Sequence, residues 1–249
     1  MRNNLKIQVR IFLGILMYFI LFGCTKPSTP VVSSALTIVN AIPGSNNLLM
    51  NFIGNNGSKT TGNFTLYNSE YKNNGGIGYG SYQEISPYSG TTNLSIVQIS
   101  DTFQFISNVT LNLQIGGIYS FFLTGTDTLH VDTMFIRDYI PYYPYTGDSI
   151  TGVRFANLSK GDRPVSVDIQ GIPNINVVSS LPYKAVTAFN SFPATSSAQA
   201  NGYIFEFRDA LSDSLLATYS LNVNVFKSQT IALYGTITTG ISVMSINNY

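Results

Sequence analysis

The chain carries one pattern twice, and that duplication constrains its fold more than any other feature. Ile38-Val39-Asn40-Ala41, followed by Gly44 and Gly54, matches Phe155-Ala156-Asn157-Leu158, followed by Gly161 and Gly171. Farther along, Leu111-Asn112-Leu113 running to Gly125 aligns without a gap to Leu221-Asn222-Val223 running to Gly235, and Met134 and Ile136 then match Met244 and Ile246. A duplicated sequence folds as two versions of one unit, so whatever one copy forms the other forms too. The copies differ between these blocks, by an Asn/Gly-rich stretch from Asn55 to Gly80 in the first and a Ser/Ala-rich stretch from Asn190 to Asn201 in the second. Insertions of that composition belong in surface loops.

Within the blocks the period is two. Val165, Val167 and Ile169 alternate with Ser166, Asp168 and Gln170, Tyr203, Phe205 and Phe207 with Ile204, Glu206 and Arg208, and Leu221, Val223 and Val225 with Asn222 and Asn224. Strands with one buried face and one wet face read this way. Abundant Val, Ile, Phe, Thr and Tyr favour the same answer, and no amphipathic helix stands out beyond the N-terminal segment. The expected fold is all-β: two tandem immunoglobulin-like β-sandwich domains, each copy having the length of such a domain. Asp138-Tyr139-Ile140-Pro141-Tyr142-Tyr143-Pro144-Tyr145 reads as the connection between them, because its prolines cannot donate to a sheet ladder. The first domain is then 35–143 and the second 144–249.

The N-terminus points to a compartment. Arg2, Lys6 and Arg10 precede an apolar run from Ile11 to Gly23, shorter than the roughly 20 residues that span a bilayer. This is the shape of a secretory signal, here residues 1–23. Leu21-Phe22-Gly23-Cys24 resembles the lipobox of bacterial lipoproteins, whose cysteine thiol is acylated before the chain is cut in front of it; Phe22 stands where a smaller residue is usual. Cys24 is the sole cysteine, so no intramolecular disulfide can form although the destination permits one. Residues 24–34, with Pro27 and Pro30, read as a semi-extended tether. The expected setting is the cell envelope, lipid-anchored at the outer membrane, with the periplasmic and the surface face both open.

Several of the repeated blocks resemble the lipoprotein family catalogued as domain of unknown function 4397, of the Bacteroidota type. The resemblance lies in Val39-Asn40-Ala41-Ile42-Pro43-Gly44, its second version Val153-Arg154-Phe155-Ala156-Asn157-Leu158-Ser159, the run Tyr119 to Gly125, and Arg137-Asp138 to Pro141. It implies tandem immunoglobulin-like sandwiches on an envelope lipoprotein with no assigned activity. The second copy departs from it at Gln229, where the first has Tyr119. Independently of the family, Asn40 and Asn157 precede turns and can hydrogen-bond the backbone that follows them, while Gly125 and Gly235 suit a bend at a strand end.

Catalytic chemistry finds little support. His130 is the single histidine, and strand alternation could bring it to the face of Asp132, but no nucleophile signature accompanies the pair. No metal-binding motif occurs, no cofactor is implied, and Gly57-Ser58-Lys59-Thr60 lacks the spacing of a phosphate loop. With charged residues at 10% and a net charge of +1, no field exists to attract nucleic acid. The chain is expected not to be an enzyme.

Two kinds of surface feature are left. Tyr71, Tyr79, Tyr82 and Tyr88 lie in or near the Asn/Gly-rich loop, where flat rings beside amides suit sugar recognition. The segments Asp127-Thr128-Leu129, Asp132-Thr133-Met134, Asp148-Ser149-Ile150 and Asp213-Ser214-Leu215 resemble the O-glycosylation acceptor of Bacteroidota envelope proteins, which makes Thr128, Thr133, Ser149 and Ser214 candidate acceptors. The leading functional expectation is a non-catalytic binding or adhesion module for a glycan or protein partner. The alternative is a structural or accessory subunit of an envelope assembly, such as a transporter or a surface fibre.

Overall fold

A computed structural model of the chain describes residues 33–53, 76–142, 149–161, 163–172 and 176–248. The expected domain boundary near Pro144 and the expected lipidation site Cys24 lie outside them. In the first half the strands are β1 (Ala35–Asn40), β2 (Leu48–Ile53), β3 (Ser81–Ile85), β4 (Gly90–Gln98), β5 (Asp101–Leu113), β6 (Ile118–Asp127) and β7 (His130–Arg137). In the second they are β8 (Ile150–Asn157), β9 (Val165–Ile169), β10 (Asn176–Leu181), β11 (Ala185–Val186), β12 (Asn190–Pro193), β13 (Tyr203–Asp209), β14 (Leu215–Leu221), β15 (Ser228–Thr236) and β16 (Gly240–Asn247). A six-residue helix, α1 (Ser196–Asn201), occupies the Ser/Ala-rich insertion; Thr195 caps it, and it buries none of its residues.

The fold is all-β, and the duplication is visible in its topology. The first half forms sheets β3-β1-β6-β7 and β2-β4-β5; the second forms β11-β8-β15-β16, with β12 also on β8, and β10-β9-β13-β14. Each half has one parallel pair, β1 with β6 and β8 with β15, in otherwise antiparallel sheets. Of the described strands, the first two of each half fall in different sheets, whereas in the immunoglobulin arrangement they share one. The cause is that parallel pair, which inserts the penultimate strand of each half beside its first.

Local sequence sets the turns as expected. Asn40 Oδ1 accepts from the Ile42 N–H and its amide donates to Ile77 O; Asn157 Oδ1 accepts from the Ser159 N–H and its amide donates to Leu181 O. Both side chains are fully buried, so each serves its turn with water excluded. Gly125 and Gly235 close the hairpins β6–β7 and β15–β16 at positive φ. A Cβ at either would run into a backbone carbonyl across the hairpin, that of His130 or of Gly240.

The expected alternation of buried and wet faces holds in β13 and from the end of β14, where Phe205, Phe207, Leu221 and Val223 are buried between exposed or half-buried neighbours, but not in the strands that join the two halves. Within each half the two sheets enclose a core: Leu36, Ile38, Tyr119, Phe121 and Leu123 meet β2, β4 and β5 in the first, and Val153, Phe155, Ile231 and Leu233 meet β9, β13 and β14 in the second. The intervening residues of these same strands are buried as well. Val39, Ala41, Phe122, Ala156, Ala232, Met244 and Ile246 form a third core between the two halves. The sheets β3-β1-β6-β7 and β11-β8-β15-β16 are thus covered on both faces, and residues 32 to 249 form one compact unit of four stacked sheets. Two-sided burial explains why Tyr119 to Leu123 and Phe155 to Leu158 are almost unbroken apolar runs.

The two inner sheets meet in opposite order. β6 lies over the end of β8, where Thr124 Oγ1 donates to Leu158 O, and β3 meets β16, where the Asn247 N–H donates to Tyr82 OH. β7 meets the turn before β11, where Tyr183 OH donates to Asp132. Equivalent residues of the two copies therefore make reciprocal contacts. Tyr79, just before β3, packs edge-on against Tyr234 of β15, and its counterpart Tyr183, before β11, touches Thr124, the counterpart of Tyr234 on β6. Such reciprocity is the mark of an isologous interface, here made within one chain. Because β1, β6, β8 and β15 all run the same way, the pseudo-two-fold axis relating the halves lies along the strands.

Candidate functional site

An axis along the strands gives the stack two distinct ends. One, here called the base, holds the first described residue: Ser33 bridges Tyr88, the Gly116 N–H donates to Ser33 O, and the connections Gln114–Gly117, Asp138–Tyr142 and Asn222–Lys227 gather there. The opposite end, the crown, carries the hairpin tips Thr128–Leu129 and Ile237–Thr239 and the turns after Asn40 and Asn157. The tips are equivalent positions of the two copies, so the axis puts both at the crown. Leu129 is 88% exposed and Ile237 85%, although each belongs to a tightly bonded hairpin. Asp127 accepts from the Leu129 and His130 N–H groups and from the His130 ring. The Leu129 N–H, then the imidazole and the His130 N–H, hold its carboxyl below the usual range. Thr236 Oγ1 bonds the hydroxyls of Thr238 and Thr239 and accepts from the Thr239 N–H. Rigid tips thus hold two aliphatic side chains in water, flanked by hydroxyls.

The tyrosines singled out from the sequence separate. Tyr79 and Tyr82 are at the junction of the halves: Tyr79 meets Tyr234 with ring centroids 5.2 Å apart, and Tyr82 accepts a bond of 3.2 Å from the Asn247 N–H. Burial, then the neighbouring Tyr234, raises the Tyr79 phenol above its ordinary range. Tyr88 lies at the other end of β3, beside Ser33, and Tyr71 is outside the described residues. The structure brings together two of these four rings and gives both of them junction contacts.

Of the candidate glycan acceptors, Thr128 and Ser214 occupy hairpin turns, and Ser214 is exposed. Thr133 lies within the β7 ladder opposite Leu123, and Ser149 just precedes β8, with its carbonyl accepting from Ala194. His130 is paired with Asp127 rather than Asp132. The chain reverses at Thr128 and Leu129, which folds the imidazole back over the preceding carboxylate. Asp132 is taken up by Lys160 at 2.9 Å, Tyr183 at 3.0 Å and Lys184 at 3.8 Å, and the Lys160 bond is the chief cause of its lowered pKa. Burial raises the Tyr183 phenol. Among the described residues no group of three or more His, Cys, Asp or Glu could hold a metal ion.

Sequence reading missed the most enclosed polar cluster. Arg154 of β8 donates to Asp138 Oδ1 at 2.8 Å, to Ser120 Oγ at 3.2 Å and to Thr230 Oγ1 at 2.7 Å. Ser120 in turn donates to Asp138 Oδ2, and Thr230 donates to Asn248 Oδ1. The guanidinium also lies 4.8 Å over the Phe189 ring. Asp138, expected within the connection between domains, instead locks the halves together. The available signal was an arginine inside the apolar run Val153-Arg154-Phe155-Ala156, a place where a charge survives only if it is paired.

No family model matches the chain, and no curated protein matches it. Among solved structures, the chain is similar to the crystal structure of CBMbc (family CBM26) from Eubacterium rectale Amy13K in complex with maltoheptaose. The identity is 8% over 87% of this chain and 97% of that one, with a TM-score of 0.26, a likeness too slight to carry an argument about fold or ligand.

Proposed function

We propose that the chain is an envelope lipoprotein of the domain of unknown function 4397 type, acylated at Cys24, that acts as a non-catalytic binding or adhesion module and recognises its partner at the crown. One observation carries this reading: Ser33, the first described residue after Cys24, enters the fold at the base, and two highly exposed aliphatic residues, Leu129 and Ile237, stand at the other end on equivalent hairpins. An anchor at Cys24 then turns the crown away from the membrane. Exposed aliphatic residues on rigid tips, with threonine hydroxyls beside them, suit a glycan or protein surface approaching end-on. The test is affinity capture of the tagged mature protein from its native envelope, with glycans and proteins both analysed, beside a Leu129→Ser/Ile237→Ser variant. Loss of the captured partner with unchanged thermal stability supports the assignment; equal capture by both proteins refutes it.

A second reading, a subunit of an envelope assembly, is favoured by β5. Among the described strands this 13-residue strand stands last in the order β2-β4-β5, and from Thr102 to Leu113 its sequence holds none of the charges that discourage pairing with another strand. A stable complex from detergent-solubilised membranes that dissociates on Thr110→Lys replacement supports it; recovery as a free monomer opposes it. For glycosylation, Thr128 and Ser214 are the acceptors that turns present, and an intact mass of the native protein equal to peptide plus lipid excludes all four sites.

A further inference from the structure

The base differs chemically from the crown. Its connections present Ile115 at 69% exposure, Tyr139 at 76% and Tyr142 at 82%, with Tyr88 also exposed beside Ser33. Arg137 and Lys227 are the cations there: Arg137 lies 5.4 Å over the Tyr139 ring, and Lys227 opens the approach to β15. Among the described residues, the single carboxylate in the base connections is Asp138, and it is sealed against Arg154. At the crown, by contrast, Asp101, Asp127, Asp209 and Asp213 stand in or beside the turns, interspersed with Lys160, Arg163 and Lys184. The base connections are therefore aromatic and cationic, whereas the crown carries charges of both signs.

We infer that the base is a membrane-seating face, which rests in the headgroup layer of the bilayer that holds the Cys24 lipid. The inference rests on the anchor reading given above. Tyrosine rings settle at a membrane surface because an apolar ring and a polar hydroxyl match the two sides of that layer. Cations beside them meet lipid phosphates, and among the described base connections no exposed carboxylate opposes them. Reach is sufficient and short: from Cys24 to Ser33 the chain spans at most roughly 30 Å when fully extended, and it joins the fold directly beside Ile115 and Tyr88. Seating aligns the pseudo-two-fold axis with the membrane normal and holds Leu129 and Ile237 at a fixed height.

The chain contains no tryptophan, so single Trp probes report position without background. Full-length lipidated protein is reconstituted in phosphatidylethanolamine/phosphatidylglycerol vesicles with brominated acyl chains, as Tyr142→Trp, Ile115→Trp, Leu129→Trp or Ile237→Trp. The expected result is blue-shifted, strongly quenched emission from the first two and unquenched emission from the last two. Unquenched emission from all four, with the chain acyl-labelled and floating with the vesicles, overturns the seating and leaves the anchor intact. A chain that neither takes up acyl label nor floats overturns the anchor reading itself, and the seating with it. Both base positions are exposed, and a thermal melt of each variant checks that the fold is kept.

Discussion

Arg154 and Asp138 form an ion pair across the two halves of the chain, at 2.8 Å, with side-chain exposures of only 4% and 0%. Each charge is acceptable only because the other is present. Ser120 and Thr230 complete the pairing, one hydroxyl from each half. At the equivalent positions of the other copy stand Thr37 and Asn248, so the pseudo-symmetric interface has one charge pair where exact symmetry would give two.

Removal of one partner leaves a buried charge alone. Arg154→Met is expected to lower stability by about 3–5 kcal/mol, the usual cost of breaking a buried pair, whereas Arg154→Met combined with Asp138→Asn recovers a large part of it. Chemical denaturation of the two single variants and the double variant measures this as a coupling energy. Additive losses would show that the pair does not join the halves.

The copies share a second device, the asparagine that ends β1 or β8. Asn40→Ala and Asn157→Ala each strand a buried carbonyl and a turn N–H, at a cost of about 1–3 kcal/mol apiece. Asn40 is expected to cost more, because it also exchanges bonds with Ser45, and among the described residues Asn157 has no counterpart to them. The two turns share no partner, so the double variant should lose the sum, read by urea midpoints at constant slope.

These residues show how far the sequence could be read. Asn40, Asn157, Gly125 and Gly235 were legible because a turn or a hairpin end demands something local, and the repeat displays the demand twice. The third core was not. Phe122 and Ala156 look in sequence like strand residues of an ordinary sandwich, and nothing local distinguishes a face that meets water from one that meets another sheet. Tyr79 and Tyr82 misled for the same reason: rings near a polar loop suggested a ligand, and the structure gives them the other half of the chain. Arg154 and Asp138 lie on either side of a connection that reads as a spacer, and only the stacking of the sheets brings them together.

Hairpin closure provides a test confined to backbone geometry. Gly125→Ala and Gly235→Ala each combine positive φ with a Cβ directed at a carbonyl oxygen across the hairpin, so both should destabilise by more than the roughly 1 kcal/mol seen for unstrained Gly/Ala exchanges. Amide exchange should show the effect at the β6–β7 tip in one variant and the β15–β16 tip in the other. Equal exchange at both tips in either variant would contradict the local origin.

Asp168 supplies the pH-dependent prediction. On β9 it faces Glu206 directly across the ladder to β13, and Arg208 comes no nearer than 3.9 Å because it engages Glu206 at 2.8 Å. Asp168 Oδ1 is buried and accepts no hydrogen bond. Burial is the main cause of its raised pKa, with Glu206 and Asp213 adding to it against Arg208. A carboxyl whose folded pKa lies above its unfolded value destabilises the fold once it ionises. The penalty is therefore absent at pH values below the unfolded pKa, grows as pH rises toward the folded pKa, and is complete above it. Asp168→Asn should then raise stability at pH 7 by about 1 kcal/mol, at the low end of the cost of an unpaired buried acceptor, and the gain should fade as the pH drops through the carboxylate range. Asp132, whose pKa is lowered by Lys160, has the opposite sign: Asp132→Asn loses stability at neutral pH, and the loss disappears in acid. Thermal melts of both variants between pH 3 and 7 distinguish the two signs, and a gain for Asp168→Asn that did not change with pH would show that ionisation of this carboxyl is not what the fold resists.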